Sequence, residues 1–113
     1  MARGRNRVLW APAARQDLID IWRYFAGVAS PDVADKLLHE IEHAAARLLT
    51  SPEMFPARRD LMPDVPDGLR SVPIHPYTVF YRSAASADAG KDVQIIRVLH
   101  ERRDFPSALT NEA

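Results

Sequence analysis

Tyr77-Thr78-Val79-Phe80-Tyr81-Arg82 decides the fold, because it is β-branched and aromatic throughout and reads as a strand. Pro76 stands directly before it and separates it from a second apolar run, Leu69 to Ile74. On the other side, Ser83 to Asp92 is a stretch of small and polar residues with Gly90, read as a loop. Val93-Gln94-Ile95-Ile96-Arg97-Val98-Leu99 follows. It is apolar on both alternating faces, as a central strand would be. The last third of the chain is therefore a three-strand meander.

Upstream, the period changes from two to 3.6. Ala14, Leu18, Ile21, Trp22 and Phe25 lie at offsets 0, 4, 7, 8 and 11, one face of a helix. Pro12 suits its first turn and Gly27 its end. Ser30-Pro31-Asp32 restarts the chain, with Ser30 as cap and Asp32 at the positive end of the helix dipole. Val33, Leu37, Ile41, Ala44, Ala45 and Leu48 then repeat at helical spacing, and Pro52 places the end near Thr50. The short connector makes the two helices an antiparallel hairpin. Val8-Leu9-Trp10, closed by Pro12, is a first short strand, and Ser51 to Asp67, with four prolines, is an irregular crossing loop.

The expected fold is α+β, in the order β-α-α-β-β-β, with the helical hairpin packed on one face of a small, mainly antiparallel sheet. The 113 residues fit one domain, 1–113, whose ends at 1–6 and 107–113 are expected to fray.

Composition removes several functions. Without cysteine there is no disulfide, thiolate metal site or Cys nucleophile. No apolar run approaches a bilayer span, and no signal-peptide core follows the basic start, so a cytoplasmic protein with no membrane contact is expected. The four scattered glycines make no phosphate loop, and no nucleophile elbow is present. A net charge of zero argues against strong non-specific nucleic-acid binding.

His39-Glu40-Ile41-Glu42-His43 matches the H-E-x-x-H pattern of zinc peptidases. Relative to Leu37, however, the two histidines lie about 200° and about 240° round the helix at ~100° per residue. Both point to solvent, and no third ligand stands in a recognisable pattern. No metal or other cofactor is expected; metal binding at an exposed histidine pair of this kind would be adventitious.

The informative constellation comes late. Arg70, Arg82, Arg97, His100, Arg102 and Arg103 lie on the strands or just past the last one. Gathered guanidiniums repel unless acids or an anionic partner offset them. Either they pair with local acids such as Glu101 and Asp104, or they form a docking surface for an acidic peptide, a protein or RNA.

Three segments carry a family resemblance. They are the opening from Val8 to Tyr24, the pair Gly68-Leu69-Arg70 and Tyr77 to Arg82, and the close Ile96-Arg97-Val98-Leu99-His100-Glu101-Arg102-Arg103-Asp104. In order and spacing, over residues 8 to 105, they resemble the RelE/ParE toxin superfamily, and its ParE branch more closely. The resemblance implies the same β-α-α-β-β-β fold. It also implies a toxin of a two-gene, type II toxin–antitoxin system of the plasmid-stabilisation kind, held in a hetero-oligomer with a ParD-like cognate antitoxin. ParE-like toxins are described as poisoning DNA gyrase and so blocking replication; RelE-like toxins cleave messenger RNA on the ribosome. On the first reading the chain is not an enzyme, and Arg70, Arg82, Arg97, His100, Arg102 and Arg103 bind target or antitoxin. On the second it is an endoribonuclease, with His100 as acid or base and Arg70 and Arg82 holding the phosphate. The lysine cluster of RelE-like enzymes is missing, since Lys36 and Lys91 are the chain's two lysines and no tyrosine follows Tyr81. The ParE-like reading is therefore preferred.

Overall fold

A computed structural model describes residues 7–61, 68–85 and 90–110. Strand β1 (Val8–Trp10) leads into helix α1 (Pro12–Val28) and helix α2 (Pro31–Arg47). Strands β2 (Arg70–Ile74), β3 (Tyr77–Ala85) and β4 (Lys91–His100) follow, and a short helix α3 (Phe105–Thr110) closes the described chain. The sheet order is β1-β4-β3-β2. β1 pairs parallel to β4, and the other two pairings are antiparallel.

The local chemistry explains the elements. Pro12 sits in the first turn of α1. The Ser30 hydroxyl accepts the Val33 amide at 3.2 Å, and Asp32 lies in the first turn of α2. After Arg47 the chain tightens through amides that bond three residues back, ending at Thr50. Gly68 takes a φ of +83° at the entry to β2, a backbone geometry open to glycine. β2 and β3 are joined by the two-residue turn His75-Pro76, whose peptide bond is cis.

Alternation along β3 builds two cores. Tyr77, Val79 and Tyr81 face the hairpin and meet Ala14, Ile21, Ile41, Ala45 and Leu48, together with Val72, Val93, Ile95 and Val98. Phe80 faces the other way and packs with Leu61, Leu69, Leu99, Ala108 and Leu109.

Four sequence expectations change. α1 runs one residue past Gly27, and the break comes instead at Ala29, just before the Ser30-Pro31 start signal. The region 83–92 is not all loop: Ser83 to Ala85 pair with Val93 to Lys91, and the buried Asp92 is anchored by the Arg7 amide and guanidinium. The crossing segment contains a 3₁₀ turn at Arg59–Leu61 and a bridge from Ala57 to Arg70. Finally, the tail expected to fray from 107 is helical through Thr110. The Asp104 carboxylate accepts the Ser107 amide at 3.3 Å, and Ala108 and Leu109 are buried over Phe80. The expected fraying at 1–6 and 111–113 lies outside the described residues, as does the crossing loop at 62–67.

Candidate functional site

The late arginines do not form one cluster. Arg70 is opposite Tyr81, so the two share the hairpin-side face of the sheet. Its guanidinium donates to the Phe55 carbonyl and, at 3.5 Å, to that of Glu53. It therefore holds down the crossing segment. Arg82 follows Tyr81 and points to the opposite face, where its Nε donates to Gln94 at 2.9 Å.

Arg97 is the most committed of the set. β1 ends at Trp10, so among the described residues the outer edge of β4 has no strand neighbour beyond Ile95. α1 fills that gap with Asp17. Its carboxylate takes Arg97 Nε and Nη2 at 2.7 and 2.9 Å and the Val98 amide at 2.9 Å. A further guanidinium N–H reaches the Ala108 carbonyl of α3 at 3.3 Å. The two side chains are 15% and 12% exposed, so this pair belongs to the interior.

His100 lies opposite Tyr77 with its ring edge-to-face at 5.4 Å, and its Nδ1 accepts the Arg102 amide at 3.1 Å. Tyr77 and Tyr81 are four residues apart on β3, or about 13 Å at ~3.3 Å per residue. That distance separates His100 from the row carrying Arg70. The nuclease arrangement of Arg70, Arg82 and His100 is thus divided between two ends and two faces of the sheet. Arg102 and Arg103 are exposed in the turn after β4. The acids expected to offset them are engaged elsewhere: Glu101 pairs with His75 at 3.0 Å, and Asp104 caps α3. Among the described residues, neither guanidinium has an ion-pair partner.

An aromatic row ends at His100, close to these two arginines in sequence, and His100 accepts the Arg102 amide. Tyr24, Phe25, Tyr77 and His100 contact edge to face with centroids 5.1, 6.4 and 5.4 Å apart. Tyr24 is 58% exposed. Burial pushes the Tyr77 hydroxyl above its ordinary range, and the nearby Tyr24 adds to this. Beside the row, a cleft of about 150 Å³ is lined by Asp17, Asp20, Tyr77, His100 and Arg103. It holds a side chain rather than a drug-sized substrate, which needs ~300 Å³ or more. The outer side of the hairpin carries an apolar dimple of about 270 Å³ between Leu18, Ile19, Trp22 and Leu38. Trp22 reaches across it to Asp35 of α2 at 2.8 Å.

Sequence reasoning missed two residues of structural weight. Asp17 sits at the border of the α1 apolar stripe, a place where a carboxylate signals a buried partner. Arg58 stacks over Phe80 and Phe105 at 5.7 and 5.9 Å while binding Asp60 and Ser71. No cue in the proline-rich segment marked it. Among the described residues no three His, Asp or Glu side chains converge as a metal site, and no helix is long and apolar enough to cross a membrane.

Residues 8–105 match the family described as ParE toxin of type II toxin-antitoxin system, parDE. Toxin ParE1 of Mycobacterium tuberculosis, from strain CDC 1551 / Oshkosh and from strain ATCC 25618 / H37Rv, is 30% identical over 99 residues. That alignment takes in 88% of this chain and 93% of the relative. A solved structure described as the chromosomal ParDE TA system from P. aeruginosa superposes with a TM-score of 0.67. It is 22% identical and covers 84% of this chain and 95% of that one, which shows a shared fold.

Proposed function

Because the chain belongs to the ParE toxin family of type II toxin–antitoxin systems, we propose that it acts in the cytoplasm by binding a protein target, DNA gyrase, without catalysing a reaction of its own. The observation that carries this reading is the separation of Arg70 and Arg82 from His100. A phosphodiester held by those two arginines would lie about 13 Å from the imidazole, beyond direct proton transfer, which needs ~3 Å. The exposed end of β4 supports the same reading. The Arg102 amide bonds His100 and Arg103 lines a cleft with Tyr77 and His100, and arginine and tyrosine are residue types that dominate protein–protein hot spots.

The cognate antitoxin is the second partner. Apolar side chains of an antitoxin helix fit the Leu18–Ile19–Trp22–Leu38 dimple, and its acids meet Arg102 and Arg103. The antitoxin then covers the surface that the target needs, which accounts for neutralisation by occlusion.

The experiment is a pulse-labelling time course after inducing the chain alone in a bacterium, paired with a supercoiling assay on purified gyrase. Early loss of DNA synthesis and inhibited supercoiling are expected. Early loss of protein synthesis with cleaved messenger RNA would overturn the reading.

A further inference from the structure

An open groove of about 550 Å³ lies away from the late arginines, along α2. His39 and His43 line it together with Lys36, Glu40 and Arg47, over a floor of Ala44 and Ile74. α2 runs unbroken through both histidines, from Pro31 to Arg47, so the helix fixes their separation. One turn apart, two side chains share a face with Cβ atoms ~6 Å apart. Both rings are exposed, and neither has a hydrogen bond, ion pair or ring contact among the described residues. The chain's other histidines are occupied: His75 binds Glu101, and His100 stacks on Tyr77 while its Nδ1 takes the Arg102 amide.

We propose that His39 and His43 form a two-imidazole chelating site for a divalent transition metal, in the open groove of α2. The site is neither a structural nor a catalytic zinc centre. Those take four and three protein ligands, and among the described residues no third donor converges here. The remaining coordination positions stay open to water or to an exchangeable ligand. Imidazole donors on an exposed scaffold rank metals by intrinsic affinity, so Cu²⁺ binds more tightly than Ni²⁺ or Zn²⁺, and Mg²⁺ and Ca²⁺ do not bind. Lys36 and Arg47 oppose a cation electrostatically, and Glu40 offsets part of that. All three are long exposed side chains screened by salt, so the two nitrogen–metal bonds decide the outcome. The folded helix supplies the spacing, so metal binds the native state and raises the unfolding temperature.

The test is titration of the untagged, full-length protein with Cu²⁺, Ni²⁺ or Zn²⁺ alone, followed by calorimetry and by the histidine ring signals in NMR. One saturable equivalent is expected, with the signals of His39 and His43 shifting first. His39→Gln or His43→Gln weakens binding about a hundredfold, the chelate advantage of two linked donors. His75→Gln and His100→Gln leave binding unchanged, and Lys36→Ala strengthens it. All variants are checked for an unchanged circular dichroism spectrum without metal. Undiminished binding in the His39→Gln/His43→Gln double variant, or no saturable binding to the native protein, would overturn the proposal.

Discussion

Asp17 of α1 and Arg97 of β4, 80 residues apart in sequence, form a forked ion pair at 2.7 and 2.9 Å on the open edge of the sheet. The same carboxylate accepts the Val98 amide, so one side chain replaces the strand neighbour that β1 is too short to provide. Because Arg97 also reaches the Ala108 carbonyl, the pair ties both layers to the sheet.

Asp17→Ala is therefore expected to destabilise the protein by about 3–5 kcal/mol, the range for a buried cation stripped of its partner. Asp17→Leu combined with Arg97→Met should recover much of that loss, because no lone charge remains buried. Urea unfolding midpoints check both. A double variant no more stable than Asp17→Ala would show that the Val98 amide, not the charge pair, sets the cost.

Tyr81 gives a pH prediction. Its hydroxyl is fully buried and has no hydrogen-bond partner among the described residues. Burial pushes its ionisation above the ordinary value; the Phe55 backbone and the Arg70 charge lie near enough to oppose this in part. The folded state thus keeps its proton where the unfolded chain, with a pKa of ~10, has lost it. Stability is fully present below pH ~10 and falls as pH rises above it towards the folded value. Tyr81→Phe is expected to change stability at pH 7 by less than about 1 kcal/mol, since the hydroxyl is unpaired. It should also flatten the alkaline decline, leaving the part due to Tyr77. Denaturant midpoints at pH 7 and above pH 10 measure this.

The order of elements was legible because period and punctuation agree. Ala14 to Phe25 and Val33 to Leu48 have helical spacing, Tyr77 to Arg82 has strand chemistry, and prolines stand at the joints. The helix α3 was not legible. Phe105–Thr110 is six residues long with a proline inside, and its stability comes from burying Ala108 and Leu109 over Phe80. The candidate site was legible as residue types and not as an arrangement. Alternation already sets Arg82 opposite Arg70 once the register is known. The bulge is different. Between Phe80 and Tyr81 the pairing skips Ile96, which turns Arg97 onto the Phe80 face and His100 onto the Tyr77 face. Two consecutive isoleucines in an apolar strand give no sign of it.

Arg58 makes a prediction for the far face of the sheet. Its guanidinium is stacked on Phe80 and Phe105 and also bonds Asp60 and Ser71 at 2.7 to 2.9 Å. Arg58→Ala should cost about 1–2 kcal/mol, mainly from the lost ring contacts. Arg58→Lys should recover little of it, because an ammonium lacks the planar fork that binds the Asp60 carboxylate while lying over the rings. Thermal unfolding of the two variants checks this; a fully stable Arg58→Lys would reduce the contact to simple charge.

The last prediction separates binding from folding among the late arginines. Arg97→Ala removes one partner of an interior ion pair, so its loss of toxicity should track a loss of folded protein. Arg102→Ala with Arg103→Ala touches two exposed side chains with no ion-pair partner among the described residues, so stability should shift by less than about 0.5 kcal/mol per site. If the end of β4 is the contact surface, this stable double variant still loses toxicity and binds antitoxin more weakly, and the deficit grows with salt because the lost attraction is electrostatic. The measurements are growth after induction, antitoxin affinity at two ionic strengths and an unfolding curve. A double variant that stays toxic and keeps its antitoxin affinity would move the contact surface from Arg102 and Arg103 to the apolar hairpin face around Ile19 and Trp22.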